Sequence, residues 1–151
     1  MAQTGKLIIP LLASAVTASI LGNILSTQFV ISGLDKVGAQ ISFADRISMT
    51  LSDIVGFGPM YGIFILIGFT VAFLTSWLVY KFVKTGRTLV YAVAGFTAML
   101  VMLYLMKNVF FGVQLVAGAR TTVGLVLQGL VGGLAGYVFA KLSTPKISGN
   151  T

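Results

Sequence analysis

The sequence predicts an all-α integral membrane protein: a bundle of four transmembrane helices with a short amphipathic outer-surface helix between the first and second, built as a single membrane domain over residues 1–151. Three observations carry this. Hydrophobic residues make up 57% of the chain and charged residues 9%, with a mean hydropathy of +1.01, whereas soluble domains carry about 25% charge. Four charge-free windows are each long enough for a crossing, which takes about 20 apolar residues at about 1.5 Å rise through about 30 Å of hydrocarbon. Lys, Arg and Asp are confined to the segments between and beyond those windows.

The first window runs over residues 7–34, between Lys6 and Asp35. It is longer than a simple crossing requires, so a tilted or protruding helix is expected. Pro10 falls near its start, where a missing N–H costs little. Ala13-Ser14-Ala15 has the small-residue pattern of a signal-peptide cleavage site, but the apolar run before it is too short for an h-region, and the segment is expected to be retained. The second window opens with the breaker-rich Gly56-Phe57-Gly58-Pro59, which predicts a helix beginning near Met60 and running over 60–80; Trp77 and Tyr80 at its far end suit an interfacial belt. The third and fourth spans are expected over 88–106 and 121–140.

Between the first two spans, Ser42 and Asp45 form a capping-box-like start with Asp in place of the usual Glu or Gln. A helix over about 43–55 would gather Phe43, Ala44, Ile47, Leu51, Ile54 and Val55 on one arc and Asp45, Arg46, Ser48, Ser52 and Asp53 on the rest. This reads as an amphipathic helix on the outer membrane surface, resting on lipid or offering a docking face to a partner. The second outer connection, 108–119, is nearly as apolar as a span but too short to cross. It is expected either to lie in the interface or to dip back into the bundle, with Gly112, Ala117 and Gly118 supplying turns. Arg120 at the start of the last helix opposes the helix dipole, so a partner is expected to hold it. Asp45 or Asp53 could pair with it, as could a lipid phosphate, and Asp45, Arg46, Asp53 and Arg120 form a candidate clamp or partner site.

Charge orients the bundle. With both termini inside, one side holds Lys6, Lys81, Lys84, Arg87, Lys141 and Lys146 with no acid; the other holds Lys36, Arg46, Lys107 and Arg120 against Asp35, Asp45 and Asp53. The excess of basic residues favours cytoplasmic termini, consistent with a bacterial inner membrane. The high pI is thus a topology signal. No long basic run interleaved with aromatics exists, and nucleic-acid binding is not expected.

Small residues mark where helices can approach. The first span carries Ser14, Ala18, Gly22 and Ser26 at four-residue spacing, the second Gly68, Ala72 and Ser76, and the fourth Gly129, Gly132, Gly133, Gly136 and Ala140, with two overlapping Gly-x-x-x-Gly pairs. The neighbour could be another helix of the chain or another subunit. Asn23 and Gln128 are polar groups that must find partners inside the spans, either by interhelical hydrogen bonds or, with Thr70 and Thr75, by lining a pore.

Met99, Met102 and Met106 share one face of the third helix. Met102-x-x-x-Met106 near the outer end, followed by Gly-x-x-x-Gly in the next helix, resembles eukaryotic copper transporters of the three-helix type. The resemblance implies thioether ligation of Cu(I) by Met102 and Met106. It covers only these short patterns, and adaptable core packing by Met is the alternative.

The chain has no Cys, His or Glu. Cys- or His-ligated metal sites, thiol redox chemistry and His- or Cys-based nucleophilic triads are therefore excluded for this chain alone. Enzymatic activity is not expected, nor is a cofactor beyond bound lipid. The expected role is a non-catalytic small membrane subunit that packs through small-residue helix faces into a larger assembly. Its partners would be membrane lipids and other membrane subunits or copies of itself. The alternative is a homo-oligomeric channel or carrier for a small neutral or weakly charged solute.

Overall fold

The computed structural model describes residues 5–83 and 86–143, so Lys84 and Lys146, used above to orient the chain, lie outside the described residues. Among the described residues the structure is all-helical: α1 (Gly5–Lys36), α2 (Phe43–Gly56), α3 (Gly58–Val83), α4 (Arg87–Val109), a 3-10 turn (Ala117–Arg120) and α5 (Thr122–Leu142). Four of these helices, α1, α3, α4 and α5, are long and apolar enough to cross a membrane. The large apolar side chains exposed along them, such as Ile67, Val71, Val93 and Leu130, suit a lipid surround.

The bundle closes through α1–α3, α3–α4, α4–α5 and α5–α1 neighbours. The α4–α5 pair approaches most closely, because its meeting surfaces lack side chains. A Cβ on Gly132 would lie 2.6 Å from Met99 Cβ and collide with the Gly95 carbonyl; one on Gly136 would collide with the Tyr91 carbonyl. Gly129 faces the Phe96 ring, and a Cβ there would stand only 2.7 Å from it, so the ring would have to shift. Gly133 is different, since its Cβ would sit 3.4 Å from the Ala92 carbonyl, an ordinary contact. On α1 the buried face is Ser14, Ala18, Gly22, Asn23, Thr27 and Ile31, with Ser26 half-buried beside it. The faces singled out for assembly on α1 and α5 are therefore used inside the chain.

At the end away from the aspartates the core is aromatic. Phe73 stacks on Phe139 at 4.3 Å between centroids, and Tyr91 packs on both at 5.8 and 5.1 Å. Arg87 lies over the Tyr91 ring and donates to the carbonyl and hydroxyl of Ser143 at 3.0 and 2.7 Å, tying the start of α4 to the end of α5.

Three expectations are corrected. The second span begins at Gly58, ahead of Met60, because Pro59 falls in the first turn, where its missing N–H has no intrahelical partner to lose. The segment 43–56 is a helix of its own, started by the Ser42 cap, but it does not stand apart from the first span. Instead α2 runs back along α1: Thr27 bonds Asp53, Gln28 approaches Thr50 at 3.5 Å, and Asp35 pairs with Arg46, so successive positions up α1 meet successive positions down α2. A single residue, Phe57, itself in helical conformation, joins α2 to α3, with Phe57 N–H donating to Asp53 O and Tyr61 N–H to Phe57 O. The 108–119 connection, left open between two placements, divides: Val109, Phe111 and Val113 stay exposed and its second half folds inward. Val116, Gly118 and Ala119 are buried against α1 and α5, and Gly112 turns with φ +85°. The third correction concerns Arg120 and follows with the site.

Candidate functional site

Two sets of polar groups lie toward the aspartate-bearing end, which the sequence-based topology makes the outer end. The first is a buried node where α1, α3, α4 and α5 meet. Gln128 is fully buried; its amide nitrogen donates to the Gly22 carbonyl at 2.9 Å, and its amide oxygen accepts from the Tyr61 hydroxyl at 3.1 Å. The carbonyl can only accept and the hydroxyl has one proton to give, so the network itself fixes the amide orientation. Met99 Sδ sits 3.6 Å from the same hydroxyl. Gly22 makes the room, since a Cβ there would stand 2.8 Å from the Tyr61 ring and 3.0 Å from Gln128 Oε1. Above the node the 3-10 turn packs on the side of α1, with Gly118 N–H 3.4 Å from Ser26 Oγ.

The second set is a polar seam up α1 at four-residue spacing. Ser19 Oγ donates to Gly58 O at 3.1 Å, and Asn23 Nδ2 to Ser19 O at 2.8 Å; the Thr27 hydroxyl donates to Asp53 Oδ2 at 2.6 Å and lies 3.0 Å from the Asn23 carbonyl. The Ser19 and Thr27 bonds to Gly58 and Asp53 tie α1 to the α2–α3 joint, while the other two lie within α1. In a low-dielectric interior each would be costly to leave unmade, and every one is made between protein groups.

The four outer charges do not form one clamp. Arg120 is exposed and its Nε donates to the Gln114 carbonyl at 3.1 Å, six residues back, so the cation steadies its own loop. Asp53 is engaged by Thr27, and Asp45 closes the α2 cap by accepting from Ser42 Oγ at 2.6 Å while its N–H donates to that hydroxyl at 3.2 Å. Arg46 pairs with Asp35 at 2.6 Å, with both side chains more than a third exposed. An exposed pair of this kind contributes about 1 kcal/mol at most. No clamp bond joins the two loops: Arg120 bonds an acceptor in its own loop, Asp53 is bonded to Thr27 and Asp45 to Ser42.

Met99, Met102 and Met106 are all buried in the core, and Met102 packs 3.7 Å from where a Gly68 Cβ would be. Among the described residues no three His, Cys, Asp or Glu side chains are grouped to hold a metal ion. Tyr61, Ser19 and Thr27 were missed in the sequence. Ser19 and Thr27 were findable, because they stand four residues either side of Asn23.

Beyond the node, α1 continues ten residues past Ser26, about 15 Å at helical rise, with α2 alongside it. No residue of α2 is buried. To one side of the face that meets α1, it carries Phe43, Ile47, Leu51 and Val55, exposed at 77, 46, 57 and 76% and spaced by four residues.

The arrangement defines a class: a multi-pass helical membrane protein whose buried polar side chains, Gln114 Oε1 excepted among the described residues, find partners within the chain, and whose aspartate-bearing end is a helical hairpin with one exposed apolar row. Comparison with known proteins adds no finer assignment, since no family model, curated protein or solved structure matches the chain.

Proposed function

We propose that the chain is a non-catalytic subunit of a larger membrane assembly, sited in a bacterial inner membrane with cytoplasmic termini, and that it holds its partner through the outer hairpin. The single observation that supports this is the exposed row Phe43, Ile47, Leu51 and Val55. Its four-residue spacing gives one continuous apolar stripe suited to a helix or groove of another protein. A helix of 32 residues is about 48 Å long and outruns about 30 Å of hydrocarbon, so the α1–α2 hairpin has length to project beyond the lipid. The Gly-rich faces of α1 and α5 contribute to folding the subunit rather than to holding a partner.

The channel alternative draws no comparable support. Asn23 and Gln128 donate to backbone carbonyls, and Thr70 and Thr75 donate to Leu66 O and Val71 O in their own helix.

Extraction of the tagged chain in polymer discs, followed by intact-complex mass spectrometry, tests the reading. A stoichiometric foreign subunit is expected, and it should be lost from a Phe43→Ser, Leu51→Ser double variant that keeps its helix content. A chain that emerges alone and monodisperse would sink the proposal.

A further inference from the structure

The end of α4 away from Arg87 closes in a strained turn. Gly112 N–H donates to Lys107 O at 2.8 Å and Phe110 N–H to Met106 O at 3.0 Å, the bonding of a helix that ends by reversing through one left-handed residue. That residue is Phe111, at φ +54°. The position ordinarily falls to glycine, because a Cβ there crowds the carbonyl that follows, yet here the glycine comes one place later, as Gly112. The turn also parts two adjacent rings. Phe110 faces inward and meets Phe64 edge-on at 6.2 Å between centroids, whereas Phe111 is 99% exposed. A ring this bare gains no packing from the described chain, so whatever offsets its strain and exposure lies outside that chain.

Height decides what meets the ring. Arg87 and Lys107 are the charged residues of α4, and residues 88–106 between them carry no charge. At helical rise the two cations stand about 30 Å apart, one hydrocarbon thickness, so each falls at a headgroup level. The bond from Gly112 N–H to Lys107 O keeps the turn, and with it Phe111, at the level of Lys107 instead of letting the chain climb away. One turn deeper on α4, Tyr104 is 67% exposed, and Lys107 itself is exposed. An outward tyrosine, a cation and a bare apolar ring at one level are the composition of a membrane interface. We propose that this turn is a lipid anchor in the leaflet on the aspartate side, with the Phe111 ring set among the acyl chains just under the headgroups and Lys107 reaching the phosphates. The inference is independent of the partner proposed for the hairpin.

The test is depth-resolved fluorescence quenching of the full chain in phosphatidylcholine vesicles. Trp77 is the chain's one tryptophan, so a Trp77→Phe, Phe111→Trp double variant carries a single indole at position 111, and the exposed site tolerates the larger ring. Phosphatidylcholine brominated near the carbonyl end of its chains should quench that indole at least about threefold more strongly than either the same lipid brominated near the chain ends or iodide supplied on both faces. A Trp77→Phe, Leu130→Trp variant, whose indole is exposed near the middle of α5, should instead favour the label near the chain ends. Quenching chiefly by iodide would place the ring at position 111 in water, shielding from all three quenchers would place it against protein, and a response matching that of position 130 would place it too deep. Each of these results would overturn the anchor.

Discussion

At the scale of the residue, Gln128 is the side chain on which the interior turns. It joins α5 to α1 through Gly22 O and to α3 through Tyr61, and it is wholly buried. Interhelical hydrogen bonds in membranes contribute about 0.6 kcal/mol on average and about 1.7 at most, because the separated helices also find partners. A double-mutant cycle of Gln128→Leu and Tyr61→Phe is therefore expected to give a coupling in that range by unfolding titration in micelles. Additive losses would mean that the two side chains do not share a bond. The sequence already marked Gln128 and Asn23, since an amide in a span must be bonded to something. It could not mark Tyr61, because a tyrosine near the end of a span reads as an interface residue, and only the close approach allowed by Gly22 turns it inward.

Elements meet where backbone meets backbone, and this separates neighbouring glycines of α5. Gly132→Ala is expected to destabilise the protein by about 1–3 kcal/mol, the usual cost of overpacking, since the Gly95 carbonyl cannot move without its helix. Gly133→Ala is expected to be neutral or slightly stabilising, because the added Cβ would meet its neighbours only at ordinary contact and alanine favours the helix by up to about 1 kcal/mol. Equal effects in thermal unfolding would mean that α4 does not lie against that stripe. The glycine run was legible as a close-packing surface, but not which of its members bears the contact or which helix it faces. For α2, amphipathicity announced one apolar face and one polar face. It did not reveal that Arg46, Thr50 and Asp53 of the polar side would reach α1, because such pairings join residues far apart in the chain. The sequence left the apolar row open between lipid and a partner, and in the hairpin that row is covered by no other part of the described chain.

At the scale of the whole molecule, the four crossings were the most legible feature, being fixed by length and hydropathy alone. An even number of crossings puts both ends of the bundle's chain on one side. The absence of cysteine makes this directly measurable. A Gly38→Cys variant should react with an impermeant maleimide from one face of sealed vesicles, and Ser143→Cys only from the other. Labelling of both from the same face would break the four-crossing arrangement. What hydropathy could not convey is the uneven height of the bundle, with α1 and α2 standing beyond the start of α5, because height depends on how helices register and not on how apolar they are.

The α2–α3 joint has a mechanical consequence. Phe57 is the only residue between the two helices, its backbone is helical, and its ring stacks on Tyr61 at 5.6 Å. There is no slack there to absorb displacement. A tug or twist applied to the tip of the hairpin is therefore expected to pass, as through a cranked rod, into the first turn of α3, where Tyr61 carries the hydroxyl that Gln128 holds. The outer row and the buried amide thus sit at the two arms of one lever, with Phe57 as its elbow.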